Sequence, residues 1–191
     1  MEPMVLLGGV VLLVVFYMVA TFNGIVGSKN RVKRSWSDVL AHLQKKIKVL
    51  PALEEKLKEH KEYESGILKQ IVDLRQQAGK LSSNSPSPHD LESVEKQFSS
   101  VMKSLQVTVE NYPDLKSSEL YKSVMAEIVE QQEDITAGIT IYNRNVEDFN
   151  NRLTMFPSSL VNSVLNRENE LDSFNDATLN VSSEIGLNPK L

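Results

Sequence analysis

Between Pro3 and Ser28 the chain carries no Asp, Glu, Lys, Arg or His, and no other stretch limits its architecture so tightly. Met4 to Phe22 (MVLLGGVVLLVVFYMVATF) is 19 residues long. As a helix rising about 1.5 Å per residue it reaches about 28 Å, close to the roughly 30 Å hydrocarbon core of a bilayer. A cleaved secretory signal would need a basic n-region, a shorter apolar run and a small-residue cut site. Here only Glu2 and the α-amine precede the run, and the best cut, after Ala20, puts bulky Met18 where a second small residue belongs. An uncleaved transmembrane helix within residues 1–28 is therefore expected, with the lipid bilayer as its partner.

The remaining length suits one domain. Its charge is uneven: residues 29–61 carry ten Lys/Arg against four Asp/Glu, and residues 62–191 eleven against twenty. Lys29, Arg31, Lys33 and Arg34 follow the apolar stretch directly. Such residues are retained on the cytoplasmic side, which predicts a cell-membrane protein with its N-terminus outside and its bulk in the cytoplasm. The same four side chains are within reach of anionic headgroups, each worth on the order of 1 kcal/mol. Nucleic acid is not an expected partner, because the basic segment lacks interleaved aromatics and the acidic remainder repels phosphate.

Asn23 to Ser28 holds two glycines and reads as a hinge after the anchor. From Trp36 the apolar residues fall at Leu40, Leu43, Ile47, Leu50, Leu53, Leu57, Ile67, Ile71, Leu74, Ala78 and Leu81. Steps of three and four are the signature of a helix packing by a narrow seam, and Pro51 predicts a bend that the helix continues through. His60 and Glu64 interrupt the seam and read as a locally solvent-facing pair. Gly79 to Asp90 (GKLSSNSPSPHD) is a turn. Asp90 is placed to cap a second helix with apolar Leu91, Val94, Phe98, Val101, Leu105 and Val109, ending near Tyr112-Pro113.

Ser117 or Ser118 opens a third helix with the most regular heptads of the chain. One set reads Tyr121, Ile128, Ile135, Tyr142, Phe149, Phe156, and the other Met125, Gln132, Ile139, Val146, Leu153, Leu160. This is a core seam with one polar intruder, Gln132, which reads as a register-setting group. Pro157 kinks the helix or starts a short fourth one over 158–165. The sum is an all-α protein: an N-terminal transmembrane helix, an antiparallel up-and-down bundle of three to four helices over 29–165, and a polar tail over 166–191 expected to be disordered. Asn180-Val181-Ser182 matches a glycosylation acceptor, which is irrelevant to a cytoplasmic tail.

No pattern of reactive groups stands out. HExxH, Glu-x-x-His, a phosphate-binding glycine loop and GxSxG are absent, and there is no cysteine. His42, His60 and His89 are preceded three residues earlier by Val39, Leu57 and Pro86, so the di-metal pattern of helical bundles is missing. Glu127, Glu130, Glu133 and Asp134 read as a solvated acidic face. No catalytic residue, metal or cofactor is expected.

Particular residues add a resemblance. Asn30-Arg31-Val32 and Trp36-Ser37 follow the anchor, then Leu50-Pro51-Ala52-Leu53, then Glu110-Asn111-Tyr112-Pro113-Asp114-Leu115-Lys116. Tyr142-Asn143, Phe149-Asn150 and Phe156-Pro157 complete the order. In this the chain resembles the bacterial LemA family from the anchor to about Ser159, with departures at Ala52, at Phe149 and in the segment after Ser159. The resemblance implies a single-pass membrane protein with an antiparallel helical-bundle domain and no established biochemical activity. On the heptad seam the aromatics Tyr142, Phe149 and Phe156 are expected to fill the core while Asn143 and Asn150 bond across the helix interface. The expected role is an adaptor or scaffold for other membrane or envelope proteins; a module that self-associates as a homo-oligomer and organises the inner leaflet is the alternative.

Overall fold

A computed structural model describes residues 2–58, 65–81, 85 and 87–174. It contains α1 (Glu2–Lys48), α2 (Leu50–Lys58), α3 (Ser65–Gly79), α4 (Pro88–Glu110), α5 (Pro113–Ser117), α6 (Glu119–Thr154), α7 (Ser158–Val161) and a π-helical turn, Asn162–Asn166. Among the described residues there is no strand, so the protein is all-α as its periodicity dictates. His60, Glu64 and the Asn180-Val181-Ser182 triplet lie outside the described residues.

Among the described residues two compact units divide the chain: residues up to Ser35 with Ile141–Ser173, and Trp36–Thr140 with Phe174. In the first unit, α1 leaves its apolar stretch uncovered, with Met4 81% and Phe16 73% exposed, and burial starts at Ile25. From there Ile25, Ser28 and Val32 are buried at helical spacing, with Val146, Phe149, Leu153 and Val161. The expected hinge at Asn23–Ser28 does not form, because α1 runs unbroken through both glycines. Gly24 is covered instead: a Cβ there would lie 3.3 Å from the Arg152 guanidinium. Ser28 is accommodated by donating its hydroxyl to the Ile25 carbonyl at 2.8 Å, and Ser35 bonds the Val32 carbonyl likewise at 3.0 Å.

In the second unit the expected seam is buried from Trp36 to Leu53 and from Ile67 to Ala78, with Leu81 half-buried and the Leu57 side chain outside the described ones; Leu91, Phe98, Leu105, Ile128, Ile135 and Ile139 are buried as well. The helix breaks for one residue at Val49 rather than bending through Pro51, which sits in the first turn of α2, where its missing N–H costs nothing. The α4 cap is Ser87, not Asp90: the Ser87 hydroxyl accepts from the Asp90 N–H at 3.3 Å, and Pro88 occupies the first turn. Ser118 does the same for α6, accepting from the Tyr121 N–H at 3.2 Å. α1 and α6 approach closely, since a Cβ on Gly138 would fall 2.9 Å from Val39 Cγ2.

The heptad seam of α6 holds from Ile128 to Leu153 and then fails. Phe156 is 79% exposed and Leu160 59%, because α6 stops at Thr154 and the chain turns at Pro157 before either position completes the stripe. The tail also differs from expectation at its start. Residues 167–174 lack regular secondary structure, yet Phe174 is buried and stacks on Trp36 with ring centroids 5.8 Å apart.

A buried ion pair crosses the second unit. Lys46 Nζ donates to both Glu95 carboxylate oxygens at 2.7 and 2.8 Å and to Gln132 Oε1 at 2.5 Å, and lies 4.1 Å over the Phe98 ring centroid. All three ammonium donors are thereby used, and the intruder Gln132 has its partner. Burial pushes the Lys46 ammonium below its ordinary pKa, with the Glu95 charge opposing. Removing one member strands the other charge. Lys46→Met is expected to destabilise the fold by about 3–5 kcal/mol, and adding Glu95→Leu should recover most of that. Denaturant unfolding of the single and double variants checks this; an undiminished loss in the double variant would count against a stranded charge.

Candidate functional site

Two sets of residues were marked by the sequence: the basic flank of the anchor and the paired aromatic-asparagine motifs. In the basic flank, Arg34 and Asn30 are exposed and Arg31 and Lys33 half-buried. Lys29 is engaged within the protein, its ammonium 2.6 Å from the Glu168 carboxylate. Its side chain stays one-third exposed at 33%.

The motif residues converge on the chain's own returning segment. Tyr142 and Phe149 are fully buried on α6, as the seam requires. Tyr142 donates its hydroxyl to the Asp172 carbonyl at 3.2 Å. Asn150 Nδ2 donates to the Leu171 carbonyl at 2.9 Å while its Oδ1 accepts from the Leu171 N–H at 3.0 Å. Asn162 repeats the arrangement one turn of chain earlier, donating to the Glu168 carbonyl at 3.1 Å and accepting from the Glu168 N–H at 3.0 Å. Each carboxamide thus stands in for a neighbouring strand, satisfying both backbone groups of one residue in a segment that has no secondary structure to do so. Asn150 was expected to bond across a helix interface; it holds a strap instead. Asn143 is half-buried, and Pro157 leads into α7.

The other motif residues shape ends of elements. Trp36 forms the stack with Phe174. Pro51 opens α2, and Pro113 opens α5 directly after Tyr112, the residue at which α4 can no longer continue. A family model for the LemA family matches residues 35–181, from just before Trp36 to beyond the strap. This chain belongs to the LemA family. Protein LemA of Metamycoplasma hominis is a relative, 28% identical over 167 residues that cover 87% of this chain and 72% of the relative. The LemA match includes Asn150, Asn162 and Leu171, so the strap is part of the matched region.

Elsewhere, His42 Nδ1 lies 3.0 Å from Gln131 Oε1 and 3.2 Å from Asp134 Oδ2, and Gln131 donates to Glu127 at 3.0 Å. Asp134, on the acidic face of α6, thus meets His42 of α1 while its side chain stays 44% exposed, and Glu130 and Glu133 are exposed. Among the described residues no group of three or more His, Cys, Asp or Glu is placed to hold a metal. A shallow groove of about 360 Å³ lies between α3 and α4, lined by Ile67, Gln70, Lys103 and Val107 among others.

Nothing in the sequence pointed to the strap or to Lys46 and Glu95. The strap residues have no periodicity, and long charged side chains beside a seam read as solvated. The one signal was Gln132, a polar residue at a core position.

Burial, with a smaller push from the Asp172 carboxylate, raises the Tyr142 phenol from 10.0 to about 12. A raised pKa favours the neutral phenol in the folded state. Its contribution is complete below pH 10.0 and is lost as pH climbs toward about 12. Denaturation midpoints should fall across that window, and less steeply in Tyr142→Phe; parallel curves would show that the Tyr142 phenol has the same pKa folded and unfolded. Separately, Asn150→Leu removes two bonds of about 0.5–1.5 kcal/mol each. The Leu171 amide should then exchange with solvent roughly ten-fold faster or more, read by hydrogen exchange; unchanged exchange would mean the strap is held elsewhere.

Proposed function

We propose that this LemA-family chain is a single-pass protein of the cell membrane whose helical bundle acts on the cytoplasmic face as a non-enzymatic adaptor or scaffold for other membrane or envelope proteins. One observation carries the reading: a single helix, α1, is wholly uncovered over an apolar length sufficient to cross a bilayer and then becomes part of a packed core from Ile25 onward. Anchor and bundle share that helix without a linker, so whatever the bundle holds is kept beside the lipid. The N-terminus-out orientation rests on Arg31, Lys33 and Arg34 at the anchor's inner end.

The chain has no cysteine, so one introduced thiol reports its compartment cleanly. Ser85→Cys, in the exposed turn before α4, is expected to resist an impermeant maleimide in intact cells and to react after permeabilisation; labelling in intact cells would reverse the orientation. Crosslinking in native membranes, followed by isolation of the chain, should return the same protein partner repeatedly. Recovery of crosslinked copies of the chain alone would favour the self-associating, leaflet-organising reading.

A further inference from the structure

The first unit carries a second apolar surface that the bundle leaves open. Past the end of α6, Met155, Phe156, Leu160, Val164 and Leu165 are all exposed, while Val161 is buried. Leu160 on α7 and Val164 in the π-helical turn lie four residues apart, about one turn, and Phe156 stands exposed in the turn just before α7. Contiguous open apolar patches of this kind mark contact surfaces.

Position decides what covers this face. Arg152, two residues before the end of α6, reaches Gly24 on α1, which lies two residues past Phe22, the last residue of the apolar stretch. Within this unit the chain beyond Arg152 therefore starts beside the end of the apolar stretch, and by Glu168 it pairs with Lys29, about 7.5 Å further along α1 from Gly24. The open apolar turn lies in the chain between these two contacts, both of which fall just past the anchor's uncovered length. Exposed Arg152 and Arg167 flank it, as cations flank segments that lie in a headgroup layer.

We propose that the turn from Met155 to Leu165 is a second membrane contact, in which Phe156, Leu160 and Val164 dip into the leaflet from which α1 emerges. The occupant of this face is the lipid surface, and the unit is held at two points instead of one. This rests on the anchored reading above.

The test uses the full chain reconstituted in phosphatidylcholine vesicles with a minor phosphatidylglycerol fraction, carrying one introduced cysteine with an environment-sensitive fluorophore. Phe16→Cys reports the anchor, Leu160→Cys the turn, and Arg144→Cys an exposed point on α6 about 12 Å back from Arg152. Lipids brominated in the acyl chain are expected to quench position 16 strongly and position 160 several-fold more than position 144. A label at Val164→Cys should rank with position 160, which separates insertion from an effect of the dye at one site. Quenching at 16 with position 160 no better than 144 would overturn the proposal and leave the anchor standing. A protein partner on this face would give that same result in pure lipid. No quenching at position 16 would remove the anchor, and the proposal with it.

Discussion

Everything in this structure depends on α1 meeting two opposite demands along one unbroken helix. Over its first half nothing in the protein covers the apolar side chains, and in hydrocarbon nothing needs to, because a helix satisfies its own backbone groups. From Ile25 onward the same helix must present a narrow stripe to partners and polar residues to water. The change of rule occurs within a turn, at Gly24 and Ile25, without a break in the hydrogen-bond ladder. Helical glycines cost roughly 1 kcal/mol each relative to alanine. That cost is small beside the packing around them, which explains why Gly24 and Gly27 do not act as a joint.

The second unit solves a different problem, that of fixing one arrangement among many that apolar seams allow. Leu, Ile and Val stripes specify burial but tolerate sliding; a buried ammonium with three required partners tolerates none. Lys46 draws Glu95 from α4 and Gln132 from α6 to one point, so it ties together three elements that lie far apart in the chain. Asn150 and Asn162 do comparable work in the first unit, fixing the strap by its backbone while its Glu168 side chain adds the pair with Lys29.

The bundle was readable because period-three-and-four spacing is a record of burial: nearly every residue of the seam from Trp36 to Ala78, and of α4, is where that record puts it. The stripe's true beginning at Ile25 was masked by Ser28 and Ser35, whose hydroxyls become acceptable in a core by bonding their own helix. Phe156 was misplaced because heptad counting assumes the helix goes on, whereas Pro157 follows immediately. The strap was invisible because extended chain held by asparagine side chains leaves no periodic trace. The Lys29–Glu168 pair joins residues 139 positions apart, a pairing that no local pattern encodes.

The near-contact of Gly138 with Val39 sets how such a molecule could move. Only a hydrogen stands on Gly138 where α1 crosses, and a methyl there would already sit 2.9 Å from Val39. Within the second unit, slipping α1 along α6 by a turn would put a larger side chain where that hydrogen is, so the contact locks the two helices there in one register.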